Sequence, residues 1–326
     1  MISLNIIYIT LLILVVLILI MLRFAYNKSL LLQTPMPKQP LPCQPDDFHL
    51  AYENVMFNAA DGTVIKGWFI PSLNEYSTDT IILCHGRGSN KGNMLQKTHF
   101  LAERYNLLYI DMRACGESGG NTSTIGYMET RDFDAAYKFL KDNRDGYAER
   151  IAVFGSSVGG SVAIYGAAKY PEIAGVVADS VFLSLENVVR NWCRSKARFF
   201  LPLVPLILHF SRRRLKTDPE AYSPLMNIAK MKCPILFIHG DNDGLIPRKD
   251  RETLFNKCGS SKKEEFIISG ATHTKCAETG GELYRNKISI FLSEILPEKT
   301  SVAGNDEPDK GISDGKKGKK QKKGKK

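Results

Sequence analysis

Ile151-Ala152-Val153-Phe154-Gly155-Ser156-Ser157-Val158-Gly159-Gly160 is the stretch whose reading decides the fold. Residues 151–154 are apolar and partly β-branched, and read as a buried strand. Gly155, Ser157 and Gly159 then fit G-x-S-x-G, and the small-residue run 161–169 that follows reads as a helix. Strand, tight turn and helix in that order lift one hydroxyl above a sheet, and small neighbours keep the turn free of clashes. Ser157 is therefore a candidate nucleophile. The backbone N–H of Val158, at the start of the helix, points where an oxyanion would form. The bland alternative is a plain Gly-rich turn, and the rest of the chain has to decide between them.

A serine hydroxyl is a poor nucleophile until a neighbouring base takes its proton, so Ser157 needs a histidine. Downstream, the strand-like run 234–238 leads into His239-Gly240-Asp241-Asn242-Asp243 and then Leu245-Ile246-Pro247. Residues 266–269 lead into Gly270-Ala271-Thr272-His273. Upstream, another buried-strand run, residues 80–84, ends in His85-Gly86-Arg87-Gly88, the place for a second oxyanion donor. Serine, acid, histidine is the chain order of α/β-hydrolases; the chymotrypsin and subtilisin orders differ. On these four motifs the chain resembles the α/β-hydrolase superfamily over roughly residues 50–296. Within it the chain looks most like the serine-aminopeptidase-like and prolyl-oligopeptidase-like single-domain hydrolases.

That resemblance implies Ser157 as nucleophile, His273 as general base and Asp243 as the acid that orients the histidine. In the family pattern the acid stands three residues after His-Gly and precedes an apolar pair and proline, as Asp243 does. Asp241 is the rival in the same loop, with turn capping as its ordinary role. Arg87 and Val158 are the expected oxyanion donors, each through its backbone N–H, so the Arg87 side chain is not implied. His85 and His239 are expected to be structural hydrogen-bonding residues at strand ends, and Asp111 and Arg113 to brace the loops of the site. A P-loop, a dinucleotide fingerprint and metal-ligand spacing are all missing, and six histidines and seven cysteines are scattered, so no cofactor is expected.

The chain has 326 residues, 44% of them hydrophobic, and about 250 remain once both ends are set aside. That suffices for one large α/β domain with a full core, expected over residues 49–297. Strand-like and helix-length runs alternate, which predicts a mostly parallel twisted sheet with helices on both faces. Residues 51–58 and 64–70, separated by Ala60-Asp61-Gly62, predict an antiparallel hairpin at its start.

The N-terminus carries an uncharged apolar run, residues 6–22. That approaches the roughly 20 residues needed to cross a bilayer. A cleaved signal peptide would want a basic start and a small-residue cleavage site, and neither is present. Residues 1–24 are thus expected to be a retained single-pass anchor. Arg23, Lys28 and Lys38 follow the span and place the catalytic domain in the cytoplasm. Seven cysteines suggest no disulfide framework. Residues 25–48 hold five prolines and are expected to form a stiff linker that stands off the membrane, and residues 1–45 are expected to be dispensable for folding. From Lys299 onward there are ten lysines against four acidic residues, so more than half of the net charge of +10 lies in a tail expected to be disordered. The tail suits solvation or contact with anionic headgroups. Without a basic folded face or interleaved aromatics, nucleic acid is not an expected partner.

Between residues 185 and 222 an insertion occupies the cap position after the sixth strand. Its run 199–208 is apolar but too short and Pro-broken to span a membrane. Its charges are mostly basic: Arg190, Arg194, Lys196, Arg198, Arg212, Arg213, Arg214 and Lys216 against Glu186, Asp218 and Glu220. A peptidase that binds a free amino terminus would want acids there. An apolar lid with a basic rim suits an acyl chain with an anionic or polar headgroup. The expected activity is cleavage of a carboxylic ester or thioester through an acyl-enzyme. The competing readings are a peptidase and a catalytically silent fold used as a membrane-tethered interaction module.

Overall fold

The computed structural model describes residues 4–298. Eight strands form one sheet: β1 Glu53–Asn58, β2 Val64–Ile70, β3 Thr80–Cys84, β4 Asn106–Asp111, β5 Ile151–Ser156, β6 Ile173–Asp179, β7 Ile235–Gly240 and β8 Lys263–Ile268. Their order is β1-β2-β4-β3-β5-β6-β7-β8. The opening hairpin is antiparallel, β2 runs antiparallel to β4, and every later pair is parallel. Central strands β3, β4, β5 and β7 are buried along their whole length, as parallel strands covered on both faces must be.

Nine helices are described: α1 Leu4–Leu31, α2 Lys91–Thr98, α3 Glu129–Asn143, α4 Val158–Lys169, α5 Leu185–Lys196, α6 Val204–Leu215, α7 Pro224–Asn227, α8 Arg248–Lys257 and α9 Cys276–Ile295. Two apolar layers separate helices from sheet. Phe133 and Leu140 of α3, Val162 of α4 and Leu254 of α8 pack with Ile82, Val153 and Phe237 on one face. Met94 and Leu95 of α2 and Tyr284 and Phe291 of α9 pack with Leu83, Phe154 and Leu236 on the other. This is the α/β-hydrolase architecture expected from the motifs. Strand β8 begins earlier than the apolar run at 266 suggests. It is an edge strand, and its Lys263, Glu264 and Glu265 carry the charge that exposed edges use against pairing.

The insertion after β6 folds as a cap: α5, a 3₁₀ turn Arg198–Leu203, α6, and a second 3₁₀ turn Pro219–Tyr222. Leu185, Cys193, Val204 and Leu208 give it a small core of its own.

The N-terminal segment departs from expectation. Helix α1 continues past the apolar run, because its last turns find packing partners on the cap. Ala25 and Ser29 are buried. Phe24 stacks on Phe200 with ring centroids 4.6 Å apart. The Gln33 amide donates to the backbone and side-chain oxygens of Ser211, at 3.2 and 3.1 Å. The proline-rich stretch does not stand off the domain but lies along it. Asn90 donates to the carbonyls of Gln39 and Pro40, both at 3.1 Å, and Lys38 donates to Ser118 O at 2.7 Å. Prolines keep the stretch extended and lack N–H groups, which leaves its carbonyls free to accept from the domain. The lysine-rich tail lies outside the described residues. All seven cysteines are free thiols.

Candidate active site

Ser157 sits where β5 turns into α4, with φ 53° and ψ −109°. A non-glycine residue with positive φ stores of order 1–3 kcal/mol of strain unless the surroundings hold it. Here the Ser157 N–H donates to Asp179 O at 2.8 Å, and Ser157 O accepts from the Ser161 N–H at 3.1 Å. The flanking glycines are required by contact. A Cβ on Gly155 would strike the Gly159 carbonyl, and one on Gly159 would strike the Cys84 carbonyl. Only this pair lets the start of α4 approach β5 and β3 closely enough.

Three side chains from three loops meet above the sheet. Ser157 Oγ lies 3.0 Å from His273 Nε2, and His273 Nδ1 lies 2.7 Å from Asp243 Oδ2. Asp243 Oδ1 accepts the N–H groups of Leu245 and Ile246 at 2.8 and 3.2 Å. Burial pushes the Asp243 carboxyl up, but the hydrogen bond and charge of His273 and these two N–H groups hold it below its ordinary value. The carboxylate that meets the imidazole is therefore Asp243. Asp241 is exposed and braces the neighbouring turn, accepting from Gly270 N at 2.6 Å and Ser269 Oγ at 3.1 Å.

Other residues seat the histidine loop. Thr274, with φ 60°, donates its N–H to Ser180 Oγ at 3.2 Å. Ser180 Oγ donates to Asp179 Oδ1 at 2.8 Å, and Tyr284 OH donates to Asp179 Oδ2 at 3.0 Å. Burial raises the Asp179 carboxyl. Lys97 Nζ donates to Thr274 O at 2.6 Å. Sequence reasoning did not single out Lys97, Asp179, Ser180 or Tyr284; they come from three distant parts of the chain and match no local pattern.

Arg87 and Val158 both line the cavity over Ser157. The loop before Arg87 passes close, since a Cβ on Gly86 would lie 3.4 Å from Ser157 Cβ. Among the described residues neither backbone N–H donates to a protein acceptor. The Arg87 side chain does have a role: its Nη2 donates to Leu31 O at 2.7 Å and Thr34 O at 2.9 Å, at the end of α1. His85 is structural as expected, with Nδ1 2.7 Å from Gly86 O and Nε2 accepting the Met112 N–H at 3.0 Å. His239 is buried inside β7, its Nδ1 unpartnered among the described residues, and burial holds its pKa down to about 3. It is a neutral core ring stacked on Phe237. Asp111 takes the Lys91 ammonium at 2.6 Å and the Glu117 N–H at 2.9 Å. Arg113 forks onto Asp132 and also meets Asp61. Both brace loops, as expected.

A cavity of about 1070 Å³ opens over Ser157 and His273. Cap residues such as Val188, Trp192 and Phe200 form one wall. The N-terminal segment forms another, through residues including Leu31, Leu32 and Met36. None of the cap arginines or lysines lines the cavity, so the expected basic rim is not there. Arg212 is paired with Asp218 at 2.9 Å, and Arg214 holds α1 through Ser29 Oγ at 3.1 Å. Those charges fasten the cap and the helix rather than face a ligand.

Residues 76–225 match the family model described as serine aminopeptidase, S33. That match takes in Ser157 and ends before Asp243 and His273. The uncharacterized protein YqkD of Bacillus subtilis is 30% identical over 241 residues, 73% of this chain and 78% of that protein. Protein bem46 of Schizosaccharomyces pombe is 25% identical, across 83% of this chain and 87% of its own. Among solved structures, the esterase Pf2001 of Pyrococcus furiosus superimposes with a TM-score of 0.65 at 27% identity, covering 80% of this chain and 99% of that one.

Proposed function

The chain belongs to the α/β-hydrolase family, and on that premise we propose that it is a membrane-anchored serine hydrolase of carboxylic esters or thioesters. The observation that carries the reading is the continuous hydrogen-bonded chain Ser157–His273–Asp243 at the floor of a cavity. In the proposed reaction His273 Nε2 takes the Ser157 proton as Oγ attacks the acyl carbonyl. The N–H groups of Arg87 and Val158 stabilise the oxyanion. His273 then protonates the leaving alcohol or thiol; water, deprotonated by the same ring, attacks the acyl-enzyme, and His273 returns that proton to Ser157 Oγ as the acid is released. Asp243 keeps the ring in the productive tautomer and stabilises the imidazolium.

Apolar side chains from both walls favour an acyl group as the bound moiety. A peptidase of the aminopeptidase type would want a free carboxylate for the substrate's amino terminus. Glu278, the acid in the wall, is instead paired with Lys275 at 3.1 Å. The esterase activity named for the Pyrococcus furiosus neighbour agrees with an ester substrate. Helix α1 supports anchoring: residues 4–21 expose apolar side chains all round, while its final turns are packed on the cap and belong to the folded domain. Arg23, Lys28 and Lys38 after the span favour a cytoplasmic domain.

The test is labelling of the detergent-solubilised full chain by a fluorophosphonate probe. Wild type should label, Ser157→Ala should not, and Ser156→Ala should keep most labelling. Equal labelling of wild type and Ser157→Ala would remove the nucleophile, and an unlabelled wild type would favour the silent-fold reading.

A further inference from the structure

We propose that residues 28–42 are a working wall of the active site, that the substrate is a bilayer lipid whose acyl chain enters beside the foot of α1, and that Met36 sets the chain length admitted. The inference rests on the serine-hydrolase reading and adds the source of the substrate and a specificity-determining residue.

The first support is position. Leu31 and Leu32 at the end of α1 and Met36 just beyond it face the same cavity as Ser157 and His273. The Met36 side chain lies directly against Gly88, where an added Cβ would sit 3.0 Å from Met36 Cγ. Gly88 follows Arg87, so Met36 packs against the loop that carries a proposed oxyanion donor and lines the cavity beside it. The cavity slightly exceeds the roughly 300–1,000 Å³ usual for small-molecule sites, far more than a short acyl group fills.

The second support is that this wall is fastened. The Arg87 guanidinium caps the carbonyls of Leu31 and Thr34, Gln33 is tied to Ser211, and Asn90 is tied to Gln39 and Pro40. A linker serving only as a spacer needs no such set of bonds.

The third support is where the cavity lies relative to the apolar span. The unbroken exposed run along α1, nearly all of it apolar, ends at Met21, and the first cavity residue, Lys28, is seven positions later, about 10 Å along the helix. Phe24, next to Arg23, stacks on Phe200, so the cap turn Arg198–Leu203 lies level with the end of the span. Around that level the surface shows Tyr26 and Phe199, 40% and 87% exposed. Aromatic and basic side chains gathered at one height are the pattern of a membrane–water interface. With α1 in a bilayer, the cavity mouth stands in the headgroup layer, and a lipid acyl chain reaches Ser157 without crossing bulk water.

The test uses the full chain in phosphatidylcholine vesicles and the rates at which two fluorophosphonates, one short-chain and one dodecyl, label Ser157. In wild type the dodecyl probe should react faster. Met36→Trp should cut the ratio of dodecyl to short-chain rates by about tenfold, while the short-chain rate stays within about threefold. Met36→Ala removes volume at a half-exposed site, cannot clash, and must also change the ratio. Phe199→Ser, at a side chain outside the cavity wall, should slow the dodecyl probe in vesicles but not in detergent micelles. An unchanged ratio in both Met36 variants, with short-chain labelling intact, overturns the wall. Equal slowing in vesicles and micelles overturns bilayer entry. Failure of both probes on wild type is a different result: it sinks the serine-hydrolase reading, and this inference with it.

Discussion

Asp243→Asn is the substitution in which the structure dictates a large loss through one proton. Asp243 uses its two oxygens for two different tasks: Oδ1 accepts from Leu245 and Ile246, and Oδ2 faces His273 Nδ1. An asparagine here has one acceptor. If its carbonyl keeps the two backbone N–H groups, its amide NH₂ faces Nδ1, which must then become an acceptor. The ring proton moves to Nε2, and the histidine can no longer take the proton of Ser157. The inverted amide would restore the tautomer, but it would point NH₂ at two N–H donors and leave both unsatisfied, at about 1–3 kcal/mol each. The first orientation wins. The expected loss in kcat/KM is on the order of 10⁴, or about 5.5 kcal/mol of transition-state stabilisation. Hydrolysis of p-nitrophenyl acetate by the detergent-solubilised full chain would measure it. Asp241→Asn is the internal control; its partners are the Gly270 N–H and the Ser269 hydroxyl in an exposed turn, worth about 1 kcal/mol. A stability measurement separates structure from chemistry. The Asp243 carboxyl is held below its unfolded value, so the stability it contributes is present above about pH 4 and is lost as pH falls through the folded pKa. Wild type should therefore exceed Asp243→Asn in urea stability near neutral pH, and the gap should close in acid. An Asp243→Asn enzyme that kept a tenth of its activity, or an Asp241→Asn enzyme that lost more, would refute the tautomer argument.

Gly159→Ala should cost about 1–3 kcal/mol by driving a methyl group into the Cys84 carbonyl. It should also depress fluorophosphonate labelling of the molecules that remain folded, because α4 must shift and carry Ser157 with it; a normal melting temperature and labelling rate would contradict the contact argument. Truncation should divide the N-terminus in two. A chain beginning at Arg23 should leave the membrane yet keep its melting temperature, because Phe24, Gln33 and the proline stretch remain docked. A chain beginning at Asp46 should melt several degrees lower and lose long-chain esters more than acetate; equal behaviour of the two truncations would return residues 25–45 to the role of a spacer.

Local chemistry explains what could be read before any coordinates. The two glycines around Ser157 are demanded by carbonyls that close on the turn, Gly159 O from the start of α4 and Cys84 O from β3, and that demand leaves a five-residue signature. Strands β3, β4, β5 and β7 are apolar throughout because they are covered on both faces, so their runs stand out. Strand β8, at an edge, needs no such run and hid its first half behind Lys263, Glu264 and Glu265. The site was legible where each partner follows a strand. It was not legible where support comes from across the fold, as with Lys97, Ser180 and Tyr284 around the histidine loop.

By itself, the sequence determined the order of the sheet-forming runs, the strained serine between two glycines, and the two loops from which an acid and a histidine would come. These follow from periodicity and backbone sterics, which act within a few residues. Only the tertiary structure shows which of Asp241 and Asp243 faces His273, because two carboxylates two positions apart differ in direction and not in composition. Only the tertiary structure turned the proline-rich stretch from a spacer into a wall. Its carbonyls are free to accept wherever donors happen to lie, and the donors, Asn90 and Arg87, are brought to it by the fold, as is the Ser118 carbonyl that accepts from Lys38. Likewise the cap arginines look like a ligand rim when counted, but Asp218 and Ser29 claim Arg212 and Arg214 once α1 and the cap are packed together. A charge in a sequence has no direction until its partner is in place.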